Sequence, residues 1–224
     1  MRYSLYLLAL LVAIASISCN RRAYVADNFE ERTADHLSIA VIPFDVLNTG
    51  RRTKRMTEEF MEQQRAWEAE AFQQDLVDRI MRRATRNRRL VVDMQATTQT
   101  NILLADAGIS LVDAHDYTAA ELTKILGVDA VVMASVQKNK VLTDVESAAV
   151  SVLTAVLNAP DAGLNRTYEI DMRVTVLDKM GATLYNDASR IEIDFISTPD
   201  EAISRVNNRL IRKFPYIEKV KQKL

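Results

Sequence analysis

Ser38-Ile39-Ala40-Val41-Ile42-Pro43-Phe44 is an unbroken apolar stretch rich in β-branched side chains and closed by a proline. A run of this kind has no polar face to offer water. A strand built from it belongs inside a sheet with both faces covered, as strands flanked by helices are. The rest of the chain supplies the cover. From about Met56 to Arg86 there is no Gly or Pro, and helix formers dominate. Phe60, Trp67, Ala71, Phe72, Leu76 and Ile80 fall on a helical spacing, which predicts one inward apolar stripe with Trp67 in the core or at an interface.

Further along, Arg89–Asp93 reads as a second strand and residues 95–107 as a short helix with Ile102, Leu103 and Leu104 facing inward. Thr118-Ala119-Ala120-Glu121 is a capping box, in which the Thr118 hydroxyl accepts from the Glu121 amide and Glu121 reaches back. The helix it opens should end at Gly127, the usual C-terminal stop, and Val128–Lys140 then forms a strand. Residues 145–158 read either as a helix of small residues or as a flexible inserted strand, the helix being slightly preferred. Tyr168–Val176 alternates strictly and predicts a half-buried strand. Lys179-Met180-Gly181 turns the chain into a partner strand with Ile191, Ile193 and Phe195 on one face. A last helix begins at Thr198-Pro199, with Ala202, Val206, Leu210 and Phe214 inward. Asp45–Lys54 reads as a polar loop. The fold class expected is α/β: a single domain with a mixed β-sheet flanked by helices.

The first nineteen residues, MRYSLYLLALLVAIASISC, follow another logic. Arg2 supplies a positive start, and Leu5–Ala15 is apolar apart from the Tyr6 hydroxyl. Ser16 and Ser18 are small residues at a cleavage position, so residues 1–18 read as a secretory signal. The run is shorter than the ~18 residues expected of a spanning helix. Cys19 is the only cysteine, so no internal disulfide can form. Ser16-Ile17-Ser18-Cys19 resembles the bacterial lipobox, departing from it at Ser16, where an aliphatic residue is usual. That resemblance implies a diacylglyceryl group on Cys19, hence attachment to a membrane. The absence of Asp after the cysteine implies, by analogy with enteric lipoproteins, the outer membrane. Residues 19–37 are polar and aperiodic and read as the lipidated N-terminus and tether; the domain is expected over 38–224.

The residues provide little for catalysis, and the expectation is that the protein is not an enzyme and holds no cofactor or metal. His36 and His115 lack partners at ligand spacing, and His115, just before a helix cap, reads as a solvated loop histidine. No glycine-rich phosphate loop is present among only 5 glycines. Ser110, Ser135, Ser147 and Ser151 have no elbow context or identifiable base. Glu169, Asp171, Glu192 and Asp194 alternate along strands and read as solvated faces. The formal charge of −1 argues against nucleic acid as a partner. Arg79, Arg82, Arg83, Arg86, Arg88 and Arg89 cluster where cations oppose a helix dipole; the second reading is contact with phosphate-bearing headgroups.

IAVIPFD, LTKILGVDAVVMASV and YEIDMRVTVLDKMGATLY together resemble the periplasmic domain of curli-secretion (CsgG-type) and penicillin-binding-protein activator (LpoB-type) lipoproteins. The N-terminal domain of TolB is a more distant likeness in architecture. Asp45 and Asp129 match recurrent positions of that domain. The resemblance implies an outer-membrane lipoprotein whose periplasmic domain binds envelope proteins, with a homo-oligomer possible. The curli-type alternative is an export pore whose inserted hairpins would fall at Val141–Arg166, but that segment lacks the long alternating strands and aromatic girdles of a membrane barrel.

Overall fold

The computed structural model describes residues 23–50, 57–85, 87–140, 166–194 and 199–220. Its strands are β1 (Tyr24–Val25), β2 (Ser38–Val41), β3 (Asp45–Gly50), β4 (Arg88–Leu90), β5 (Asp93–Met94), β6 (Ala130–Lys140), β7 (Arg166–Asp178), β8 (Thr183–Asp194) and β9 (Ile217–Lys219). The helices are α1 (Phe29–Arg32), α2 (Glu58–Arg83), α3 (Thr97–Asp106), α4 (Ala119–Leu126) and α5 (Pro199–Leu210). Seven strands make one mixed sheet in the order β1-β8-β7-β6-β2-β5, with β3 also on β6; β4 and β9 form a small sheet of their own. This is the expected α/β class.

The centre of the sheet follows from the apolar run at β2. Ile39 and Val41 point into one core with α2 and α5, whereas Ala40 and Ile42 point into a second core with α3 and α4. Alternation therefore feeds two hydrophobic layers from one strand. β6 continues it, with Ala130, Val132, Ala134 and Val136 on the first side and Val131 on the second. The first layer runs on under β7 and β8 through Ile170, Met172, Val174, Val176 and Ile191. On the other face of these two strands Leu177 packs against the second core, and farther along the side chains are polar: Arg190 bonds Asp171 at 2.7 Å and Glu169 at 2.9 Å across the ladder.

Pro43 divides one edge of β6 between two strands. β2 pairs with its first residues (Val41↔Val132) and β3 with its last (Asp45↔Ser135 to Gly50↔Lys140), all parallel. A proline cannot donate to the ladder, so the chain breaks there and resumes after Phe44. The Asp45–Lys54 loop reading is corrected accordingly: Asp45–Gly50 is a strand, and residues 51–54 lie outside the described residues. A polar strand needs no hydrophobic alternation when a neighbouring strand supplies its hydrogen bonds.

The capping box at Thr118 and Glu121 is present in full, and Gly127 ends α4 in the left-handed conformation at φ 67°. Other expectations shift. The Arg89–Asp93 strand is split, β4 joining β9 and β5 joining β2. In α3, Leu104 is buried and Leu103 packs partly beneath it, but Ile102 is exposed. In α2 the buried side is Ala69, Phe72, Leu76, Val77 and Ile80; Phe60 and Trp67 face out, Trp67 at 56% exposure. In α5 and the turn after it, Val206, Leu210 and Phe214 are buried as expected. Residues 145–158 and Phe195 lie outside the described residues, as does the side chain of Ile193.

Candidate functional site

Cys19, the single predicted site residue, lies outside the described residues. What the structure does describe is the chain that leads away from it. Residues 23–37, read as part of a tether, are built into the domain. Tyr24 and Val25 form β1 on the outer edge of β8, in register with Asn186 and Tyr185. Ala26 is buried and its amide donates to the Leu184 carbonyl at 3.0 Å. Sequence reasoning missed this because the segment is polar and too short for any period; its order comes from partners far along the chain.

Three polar contacts hold this segment at the end of the sheet where β6 begins and β7 ends. Arg32, the last residue of α1, donates to the Asp178 carboxylate at 2.5 Å. His36 is buried and shares a 2.8 Å hydrogen bond with the Tyr216 hydroxyl, the two rings lying stacked with centroids 6.2 Å apart. The amides of Leu37 and Ser38 both donate to Asp129 Oδ2, at 2.8 and 3.1 Å. Phe29 adds an edge contact to the Tyr216 ring at 5.3 Å between centroids. Asp129 and Asp178 sit together because Ala130 pairs with Asp178 in the β6–β7 ladder. Asp178 also accepts from the Met180 and Ala182 amides at 2.9 Å, which shapes the Gly181 turn.

The electrostatics agree with a clamp. Burial lowers the His36 pKa, against the opposing pull of Asp129 and Asp178, so the ring is neutral at pH 7. Burial raises the Tyr216 pKa, and the same two carboxylates add to the rise, so its phenol stays protonated. Burial pushes the Asp178 carboxyl upward, but the Ala182 amide, Arg32 and the Met180 amide outweigh it and hold it below its ordinary range. Asp129 behaves likewise through the Leu37 and Ser38 amides. The groups bridge separate segments of chain, and their lone pairs and protons are spent on that bridging. Of these, the sequence pointed to Asp129 only as a recurrent strand-end position and to His36 only as an unpaired histidine. Arg32, Asp178 and Tyr216 were missed; an Asp three residues before Gly181 is a turn signal for Asp178, and nothing local marks the other two.

Other candidates fall elsewhere. His115 is not a solvated loop residue: it is half-buried and its Nε2 donates to the Pro43 carbonyl at 2.8 Å, satisfying the chain break between β2 and β3. Burial lowers its pKa despite that bond. Ser110 donates to Asp113 at 2.6 Å, and Ser135 sits in the β6 ladder. Arg79 and Arg82 pair with Asp75 and Asp78 one turn back, and Arg89 reaches Glu218. Among the described residues, no group of three or more His, Cys, Asp or Glu is placed to hold a metal ion, and no helix is long and apolar enough to cross a membrane.

No family model matches the chain, and no curated protein matches it. Among solved structures, it is similar to lipoprotein GNA1162 from Neisseria meningitidis, at 11% identity over 79% of this chain and 96% of that one, with a TM-score of 0.45. The LpoB C-terminal domain from Salmonella enterica is similar at 10% identity over 74% of this chain and 93% of that one, TM-score 0.34. A PelC dodecamer from Paraburkholderia phytofirmans is similar at 8% identity over 85% and 92%, TM-score 0.40.

Proposed function

We propose that the protein is a lipid-anchored lipoprotein of the bacterial outer membrane, without catalytic activity, whose α/β domain serves in the periplasm as a binding or assembly component of an envelope protein complex. One observation carries the anchoring: the chain is already built into the sheet at Tyr24, five positions after the lipobox-like cysteine. A lipid on Cys19 would therefore hold the folded domain directly, with almost no intervening leash. Several acyl chains on one residue give a stable anchor where one does not. Export followed by anchoring also suits a chain whose polar groups at this end are occupied in fixing its own N-terminal segment. Replacing Cys19 by Ala tests the reading by cell fractionation. The variant is expected in the soluble periplasm; its retention in salt-washed membranes would overturn the anchor.

A second reading, an oligomeric export pore, has one observation in its favour. β6 and β7 stay paired up to Lys140↔Tyr168, so residues 141–165 leave from the open end of a long antiparallel ladder. The mass of the gently detergent-extracted protein separates the two. A large ring of discrete size supports the pore, and a monomer or a complex with one other protein supports tethered binding.

A further inference from the structure

The outer side of α5 and the turn that follows carry Arg205, Arg209 and Arg212 at i, i+4 and i+7, a spacing that aligns them on one helix face. All three are exposed and, with Asn208, they line an open groove of about 640 Å³ whose other wall is β8 at Arg190–Glu192. The charges of this groove are poorly compensated. Arg205 and Arg212 have no carboxylate partner among the described residues, and Arg209 donates to the Arg190 carbonyl at 3.0 Å. Arg190 itself is engaged by Asp171 and Glu169 on the far face of the sheet, leaving Glu192 as the one carboxylate of the lining. Two more cations extend the strip: Arg83 donates to the Arg212 carbonyl at 3.1 Å, and burial first, then the nearby Arg88 and Arg212, disfavour the charged form of Arg83. Like charges gathered on one surface of a chain with a formal charge of only −1 call for an external anion.

The position of the groove indicates which anion. Its wall is β8, and β8 is also the strand that receives β1: Tyr24 pairs with Asn186, four residues before Arg190. Four residues of strand are about 13 Å, and the five steps from Cys19 to Tyr24 span at most about 17 Å. That reach is enough for a lipid on Cys19 to lie beside the groove.

We propose that the Arg205–Arg209–Arg212 groove docks on the anionic lipid headgroups of the membrane that holds the anchor, so that the domain lies against the surface by its β8–α5 side. The inference rests on the anchored reading above. The guanidinium forks suit phosphate oxygens, to which they can donate in pairs. Docking of this kind sets the orientation of the domain: α3 and α4, packed on the opposite face of the sheet, are left for contact with other proteins.

The test uses the full-length lipidated protein in vesicles, with a fluorophore on Asn208→Cys and an acceptor on a trace headgroup. Phosphatidylcholine vesicles are compared with phosphatidylcholine containing phosphatidylglycerol. Energy transfer is expected to be higher in the anionic vesicles and to fall back in high salt. Each cation facing an anionic surface is worth about fivefold in partitioning, so Arg205→Gln with Arg212→Gln should lower the ratio of docked to undocked protein by roughly 25-fold. Both residues are exposed, and an unchanged melting curve confirms that the variant is folded. Equal transfer in the two vesicle types, or a rise that survives the double substitution, would overturn the docking. Failure to float with neutral vesicles would instead overturn the anchor.

Discussion

His36 and Tyr216 share a 2.8 Å hydrogen bond across 180 positions of sequence, joining the segment that leads into β2 to the turn that leads into β9. Burial favours the neutral imidazole here, because a charged ring in this place loses its hydration. Around it, Arg32–Asp178 and the Asp129 bonds to Leu37 and Ser38 complete a knot that keeps the N-terminal segment on the domain.

The knot should make stability sensitive to mild acid. The His36 pKa in the fold lies below its ordinary 6.5, and that of His115 is lowered as well. The unfolded chain then binds protons more readily, so stability is complete above about pH 6.5 and is lost as pH falls toward the folded values. Asp129 and Asp178, both held below 3.8, contribute stability above that value which disappears at still lower pH. Urea melts at about pH 7.5 and about pH 5.5 should show a clear drop. In the His36→Asn, His115→Asn double variant the drop over this interval should shrink; an unaltered drop would show that other groups cause it.

Asp178 and Arg32 should not be equivalent. Asp178→Ala leaves the Met180 and Ala182 amides as well as Arg32 without their acceptor, at a cost of about 2–3 kcal/mol. Arg32→Ala leaves an aspartate that still accepts two amides, and the arginine is partly exposed, so about 1 kcal/mol is expected. Equilibrium denaturation of the two variants measures the difference, and equal losses would contradict this account of the turn.

Glu68 on α2 is buried and takes a 2.5 Å contact from Lys138 on β6, with Gln64 as a second donor at 3.0 Å. Lys138→Met removes the countercharge and should cost about 3 kcal/mol. Adding Glu68→Gln should recover most of that, since the remaining polar group is neutral. A double variant as unstable as the single one would mean that the lysine acts through packing of its stem.

Trp67, the only tryptophan, is exposed on α2. Trp67→Ala should change stability by no more than about 0.5 kcal/mol. The fluorescence of the isolated protein should match that of a water-exposed indole and respond readily to a soluble quencher. A blue-shifted, protected signal would place the ring under cover in solution.

The sequence by itself determined the elements whose signals are local. The β-branched run at Ser38–Val41, the Thr118–Glu121 box closed by Gly127, the alternation through Tyr168–Val176 and the turn at Gly181 each act over a few residues, because capping, pleat and turn geometry are short-range. Enough of them lay in order to define the α/β class. Tertiary structure alone decided the rest. Nothing in Asp45–Gly50 announces a strand; it is one because β6 extends past β2 and offers an unpaired edge. Trp67 is a different case: nine residues at about 100° each put it opposite Leu76 on α2. Its exposure follows from the helical period itself, and the single stripe of the sequence reading was drawn too wide. The polar segment 23–37 carries no period, and its place depends on Asn186, Asp129, Asp178 and Tyr216, residues that come near it only when the sheet closes. Local propensity can choose a helix or a strand, but hydrogen bonds between distant segments form only in the folded chain.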